Sequence, residues 1–216
     1  IAPEIPTIVY GLRGLAYLEI RVYGQKGDLH SGLYGGVVEN PANVLCQLVA
    51  GMKDSDHRVT LPGFYDRVRP LSEQERSEFT RLPLDEDFYL KGTGATKLVG
   101  EKGYTWCERA TARPTLDVNG IYSGYIGEGS KTVLPSYAMA KVSMRLVPDQ
   151  DPEEIRQAMV RYIEDRLPDT MRYELIVHAG NPASITEINT PYVKALASAL
   201  ETVWGIRPVY KREGGS

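Results

Sequence analysis

The run Gly27-Asp28-Leu29-His30-Ser31-Gly32-Leu33-Tyr34-Gly35-Gly36 sets one histidine among four glycines. Glycine lets the backbone take conformations that a side chain forbids, so His30 projects from a tight loop. Imidazole changes charge near neutral pH and can give or take a proton there. Taken alone, a connector whose histidine caps its own backbone accounts for this loop better than catalysis does. The three histidines, His30, His57 and His178, form no HxH or HExxH spacing. Asp54, Asp56 and His57 cluster at an exposed helix end, a poor start for a metal site. No GxSxG elbow, Walker loop or dinucleotide fingerprint occurs. The residues alone therefore make no complete active site, and this segment is expected to hold no metal.

The elements that carry the loop are legible from periodicity. In Leu15–Tyr23, Leu18, Ile20 and Val22 alternate with Tyr17, Glu19, Arg21 and Tyr23, which reads as a half-buried strand. Asn40 before Pro41 predicts a helix start, and Val44, Leu45, Leu48, Val49 and Met52 give it one apolar stripe to about Lys53. Thr115–Asn119 reads as a second strand, ending in a glycine-rich loop from Gly120 to Gly129. The third and clearest strand lies within Thr132–Pro148, where Ala138, Ala140, Val142, Met144 and Leu146 alternate with Met139, Lys141, Ser143 and Arg145. Asp151-Pro152-Glu153-Glu154 opens a second helix, with acids at its positive end. Tyr173, Leu175 and Val177 mark a fourth strand.

Strand–helix–strand–strand–helix–strand is the split-βαβ, ferredoxin-like order: an α+β fold with a four-stranded antiparallel sheet and both helices on one face. Alternating strands fit a sheet covered on one side only, with its other face open. Residues 1–12 read as an extended linker, 13–180 as this domain, and 54–113 as an insertion of short helices within it. From 181 to 216 a helix and a strand read as the return to a second, α/β domain, and both ends of the chain look cut.

Composition narrows the class. A net charge of −3, with both signs spread along the chain, argues against a nucleic-acid or membrane surface. No apolar run approaches the ~20 residues that span a bilayer. Cys46 and Cys107 lie far apart without ligand spacing and read as free thiols in a reducing compartment, so a cytoplasmic location is expected.

Four segments occur in one order: Asp28-Leu29-His30-Ser31-Gly32, Lys131-Thr132-Val133-Leu134-Pro135, Ser143-Met144-Arg145-Leu146-Val147-Pro148 and Arg212-Glu213-Gly214-Gly215-Ser216. Together they make the chain similar to the di-metal peptidase family that includes carnosine-type dipeptidases, carboxypeptidase G and succinyl-diaminopimelate desuccinylase. The dipeptidase branch is the nearest, because it carries a similar insertion between the first helix and the second strand.

The resemblance implies that this chain is the lid and dimerisation domain of a metal-dependent (Zn or Mn) peptidase acting on dipeptides or short peptides. It implies a homodimer formed through the lid, by a sheet edge and the first helix. Two divalent ions and a glutamate base would lie in residues before Ile1 and beyond Ser216, leaving this segment inactive by itself. Carried over by position, His30 resembles the lid histidine that reaches the partner subunit's site and donates to the developing oxyanion. Arg145 resembles the residue that holds the substrate carboxylate, for which a guanidinium fork is well shaped. Thr132, Asn119 and Ser216 are implied as further substrate contacts. The alternatives are a deacylase or amidase of the same family, and a non-catalytic ferredoxin-like dimeric module that holds a small ligand.

Overall fold

A computed structural model describes residues 4–215. Its spine is the pair β2 (Gly14–Tyr23) and β6 (Tyr137–Leu146), the two runs with the cleanest period-two alternation. They pair antiparallel without a slip, from Gly14 opposite Leu146 to Tyr23 opposite Tyr137. Outer strands β4 (Thr115–Ser123) and β7 (Arg172–Asn181) complete the order β4-β6-β2-β7. Every pairing in this sheet is antiparallel, as the split-βαβ order requires.

One face of the sheet is apolar. Ala16, Leu18, Ile20 and Val22 of β2 and Ala138 through Leu146 at alternate positions of β6 are buried there. Helices α2 (Pro41–Gly51) and α6 (Pro152–Glu164) cover that face with Val44, Leu45, Leu48, Ile155, Met159, Tyr162 and Ile163. Each helix starts where the sequence places a cap: Asn40 Oδ1 accepts from Ala42 N–H, and Asp151 Oδ1 from Glu153 N–H. The two helices are tied to each other by fully buried Tyr162, whose hydroxyl donates to Leu48 O at 2.8 Å.

Local periodicity misplaces several boundaries. The second strand runs on to Ser123, because a bulge between Val118 and Gly120 lets pairing resume past Asn119. Residues 7–12, expected as linker, form β1 (Thr7–Leu12). This strand pairs parallel with β9 (Val209–Glu213) and antiparallel with β8 (Ser184–Ile185), making a second sheet. Helix α7 (Pro191–Trp204) packs here through Val193.

The 54–113 insertion, expected inside the first domain, divides between two cores. Val59, Leu61 and Phe64 join the core under the four-stranded sheet. The insertion's helices are α3 (Glu73–Thr80), α4 (Glu86–Thr93) and α5 (Trp106–Thr111). Phe79, Leu82, Leu84, Cys107 and Ala112 pack with Ile8, Tyr10, Val209 and Tyr210 of the second sheet. The apolar faces of these helices are too short to bury themselves, so they take the nearest uncovered sheet.

Gly51 offers a test of this packing, since a Cβ there would lie 2.5 Å from the Tyr162 hydroxyl. Alanine for glycine in a helix ordinarily stabilises by about 1 kcal/mol. Here Gly51→Ala should lower the thermal midpoint, and adding Tyr162→Phe should recover part of that loss. Additive effects of the two substitutions in thermal denaturation would contradict the contact.

Candidate functional site

His30 closes a two-residue strand, β3 (Leu29–His30), and caps the short helix α1 (Ser31–Tyr34). Strand β3 pairs with β5 (Val133–Leu134), setting His30 opposite Val133. The ribbon is fastened on both sides. Ser31 N–H donates to Thr132 O at 2.8 Å, and Ser136 N–H to Asp28 Oδ1 at 2.8 Å. Gln25 Nε2 donates to Leu134 O and Pro135 O at 3.1 and 2.7 Å.

The imidazole itself is held at both nitrogens. Its Nδ1 accepts from Gly32 N–H at 3.0 Å, which fixes the neutral tautomer with the proton on Nε2. That Nε2 lies 3.1 Å from Thr132 Oγ1, so the N–H donates to the hydroxyl. Gly32 is required by the fit, because a Cβ there would lie 2.9 Å from His30 Cε1. The capping role expected of a bland histidine is thus present, on a residue that is exposed. Thr132 is brought to His30; Arg145 and Asn119 lie elsewhere on the sheet.

Arg145 lies toward the other end of β6, opposite Leu15 and Thr115. Its neighbours Met144 and Leu146 are fully buried on the helix side, so Arg145 stands on the open face. It shares that corner with Arg13, which donates to Gly214 O at 2.8 Å and to Arg113 O at 3.2 Å. Burial, followed by the charge of Arg145, pushes the Arg13 guanidinium down to about 10, while Asp117 and Glu213 oppose the shift. The corner is cationic, with acids at its edge. Nine residue steps along the strand separate Ser136, next to the histidine ribbon, from Arg145, or about 30 Å. A dipeptide cannot bridge that span.

Asn119 sits at the bulge of β4, exposed, between the positions paired with Val142 and Lys141. The bulge interrupts the strand's alternation at Asn119. Ser216 lies outside the described residues. No group of three or more His, Cys, Asp or Glu is positioned to hold a metal ion among the described residues. The described residues therefore do not form the two-metal set implied by the resemblance. No helix among the described residues is long and apolar enough to cross a membrane.

One feature of the open face was not legible in the sequence. Glu19 is only 3% exposed although it lies among polar residues. Its carboxylate receives His178 Nε2 at 2.9 Å and Arg21 Nε at 2.7 Å, with Lys141 Nζ at 3.9 Å. His178 occupies a second bulge, between the residues paired with Tyr17 and Leu18. That slip turns it onto Glu19, and only a register could have revealed it.

These features define a class: a split-βαβ domain with one polar face open and donor groups near its two ends. The Peptidase dimerisation domain profile of the M20 peptidases matches residues 10–171, and the chain belongs to that family. Over 98% of its length it is 30% identical to the Cys-Gly metallodipeptidase of Candida albicans, of which it covers 44%. It is 28% identical over its whole length to human Beta-Ala-His dipeptidase, of which it covers 43%. The solved structure of an M20 family metallo-carboxypeptidase from Sulfolobus solfataricus superposes with a TM-score of 0.85. The two are 31% identical over 98% of this chain and 55% of that one. The chain spans less than half the length of the curated relatives it matches.

Glu19 gives a prediction with a definite sign. The hydrogen bond from His178, reinforced by Arg21, holds its carboxyl below the usual carboxylate range against the opposing effect of burial. The folded state therefore binds this proton less readily than the unfolded chain. The resulting stability is present above about pH 4.3 and lost as pH falls through the lower folded value. Glu19→Gln should destabilise the chain by about 1–2 kcal/mol at pH 7, discounted for its half-exposed partners. The gap between the thermal melts of the two proteins should narrow progressively as pH falls below about 4.3; a constant gap would contradict the ion network.

Proposed function

We propose that this chain is the lid and dimerisation domain of a metallopeptidase that hydrolyses dipeptides or short peptides. The chain's similarity to proteins named as dipeptidases supports that substrate class over the deacylase and amidase alternative. Two divalent ions, Zn or Mn, would be held by the remainder of the whole protein. The free thiols, one of them on exposed Cys46, favour a cytoplasmic location.

The observation that carries the reading is the strand geometry: Ser136, hydrogen-bonded to Asp28 of the histidine loop, and Arg145 are nine residue steps apart along one extended segment, about 30 Å. Two groups so far apart serve one small substrate only if they come from different subunits. In the proposed homodimer, Arg145 of one subunit binds the peptide carboxylate while His30 of the other donates Nε2–H to the oxygen that becomes negative. An oriented donor of this kind lowers a barrier by about 3–4 kcal/mol. Thr132 holds the imidazole in the donating tautomer until the substrate carbonyl competes for the proton. Asn119 and Ser216 are proposed as further substrate contacts. Dimerisation through outer strand β4 and α2 is supported by Val118 and Ile121, which are 38% and 52% exposed on that edge. The same exposed edge would equally serve a non-catalytic dimeric module, and catalysis by the whole protein separates the two.

In the whole protein, His30→Ala should lower kcat by about a hundredfold or more with little change in thermal midpoint. Mixing inactive His30→Ala subunits with inactive Arg145→Ala subunits tests the shared site. Random re-pairing should restore about a quarter of wild-type activity, because each mixed two-fold dimer retains one intact site. No recovery on mixing, with dimers confirmed, would mean that both groups act within one subunit.

A further inference from the structure

A cavity of about 330 Å³ lies between the helices of the insertion and the start of β4. Tyr89, Leu98, Trp106 and Leu116 make its walls mainly apolar. Its two carboxylates are already neutralised. Glu101 accepts from Arg113 through both oxygens at 2.7 Å and from Arg58 at 3.2 Å, and Asp117 lies 3.4 Å from Lys53 Nζ.

Arg109, also in the wall, differs. Its guanidinium lies 4.3 Å over the Trp106 ring, which positions the charge without neutralising it. Its Nε is buried without a hydrogen-bond partner, and no ion pair reaches the side chain among the described residues. The stem runs beside Gly100, where a Cβ would lie 2.8 Å from Arg109 Cδ. A positioned, unanswered cation in an apolar pocket is the complement of an anion with an apolar body.

We propose that this cavity binds a small organic carboxylate carrying an apolar or aromatic group. The carboxylate accepts from the Arg109 guanidinium, and the apolar group fills the space bounded by Tyr89, Leu98 and Leu116. A bare phosphate matches the charge but leaves the apolar walls wet, so it is the poorer ligand. The site is built by the insertion, Lys53 and the start of β4, where Thr115 and Asp117 adjoin the Arg145 corner, and its test does not require the roles proposed for His30 and Arg145.

The test uses Trp106 as its reporter. The chain has two tryptophans, so Trp204→Phe leaves Trp106 as the sole source of indole emission. Titrating that variant with 4-phenylbutyrate should change the emission saturably. Arg109→Gln should weaken binding about tenfold or more, with the circular dichroism spectrum unchanged. The uncharged probe 4-phenylbutanol should bind about tenfold or more weakly to the parent. Gly100→Ala, which displaces the arginine stem, should weaken binding without removing the charge. Absence of a saturable response overturns the proposal, as does equal affinity for acid and alcohol. Equal, Arg109-dependent binding of inorganic phosphate would overturn the carboxylate assignment.

Discussion

The unbroken ten-residue pairing of β2 with β6 is the constraint on which the rest of the chain depends. It buries one row of side chains against two helices and turns the other row outward. It also sets a fixed length. The histidine ribbon is fastened to one end of that spine by Asp28 and Gln25, and Arg145 belongs to the other. A core sealed by Tyr162, Met144 and Leu146 leaves the strands no freedom to bring those ends together. Rigidity thus fixes the separation of the two ends.

The polar face is made usable by internal neutralisation. Glu19 gathers Arg21 and Lys141 at its centre and accepts from His178, so the buried carboxylate is partnered and the local positive charge is offset. At the Arg145 corner, Arg13 is held by backbone carbonyls and restrained by Asp117 and Glu213. That corner joins the two sheets, since Gly214 follows β9 and accepts the bond from Arg13. The tight approach there needs glycine, because a Cβ on Gly214 would lie 2.2 Å from Ala110 O. The packing that places Arg145 is therefore shared with the second core.

Much of the four-stranded sheet was legible because period two and period 3.6 are local signals. Val22 and Val142 declare their burial by spacing alone, and Asn40-Pro41 and Asp151-Pro152 declare helix starts. Register slips are not local. The bulges at Asn119 and His178 each insert one residue without disturbing composition, so the outward turn of His178 onto Glu19 was invisible. Strand β1 was missed because Pro6 precedes it, Gly11 interrupts it and its partner β9 lies some two hundred residues away. The ribbon β3–β5 is too short for any periodicity. The site residues came from resemblance to a family, whereas the loop's own residues favoured a capping histidine.

The central claim is that one lid serves two different sites, with its own guanidinium in one and its imidazole in the other. The most direct measurement is a structure of the whole dimer holding a non-hydrolysable dipeptide analogue. The account places the analogue's carboxylate on Arg145 of one protomer and its tetrahedral oxygen within hydrogen-bond distance of His30 Nε2 from the other. Finding both side chains of a single protomer on one analogue, or His30 still bonded to Thr132 and remote from every analogue, would contradict it.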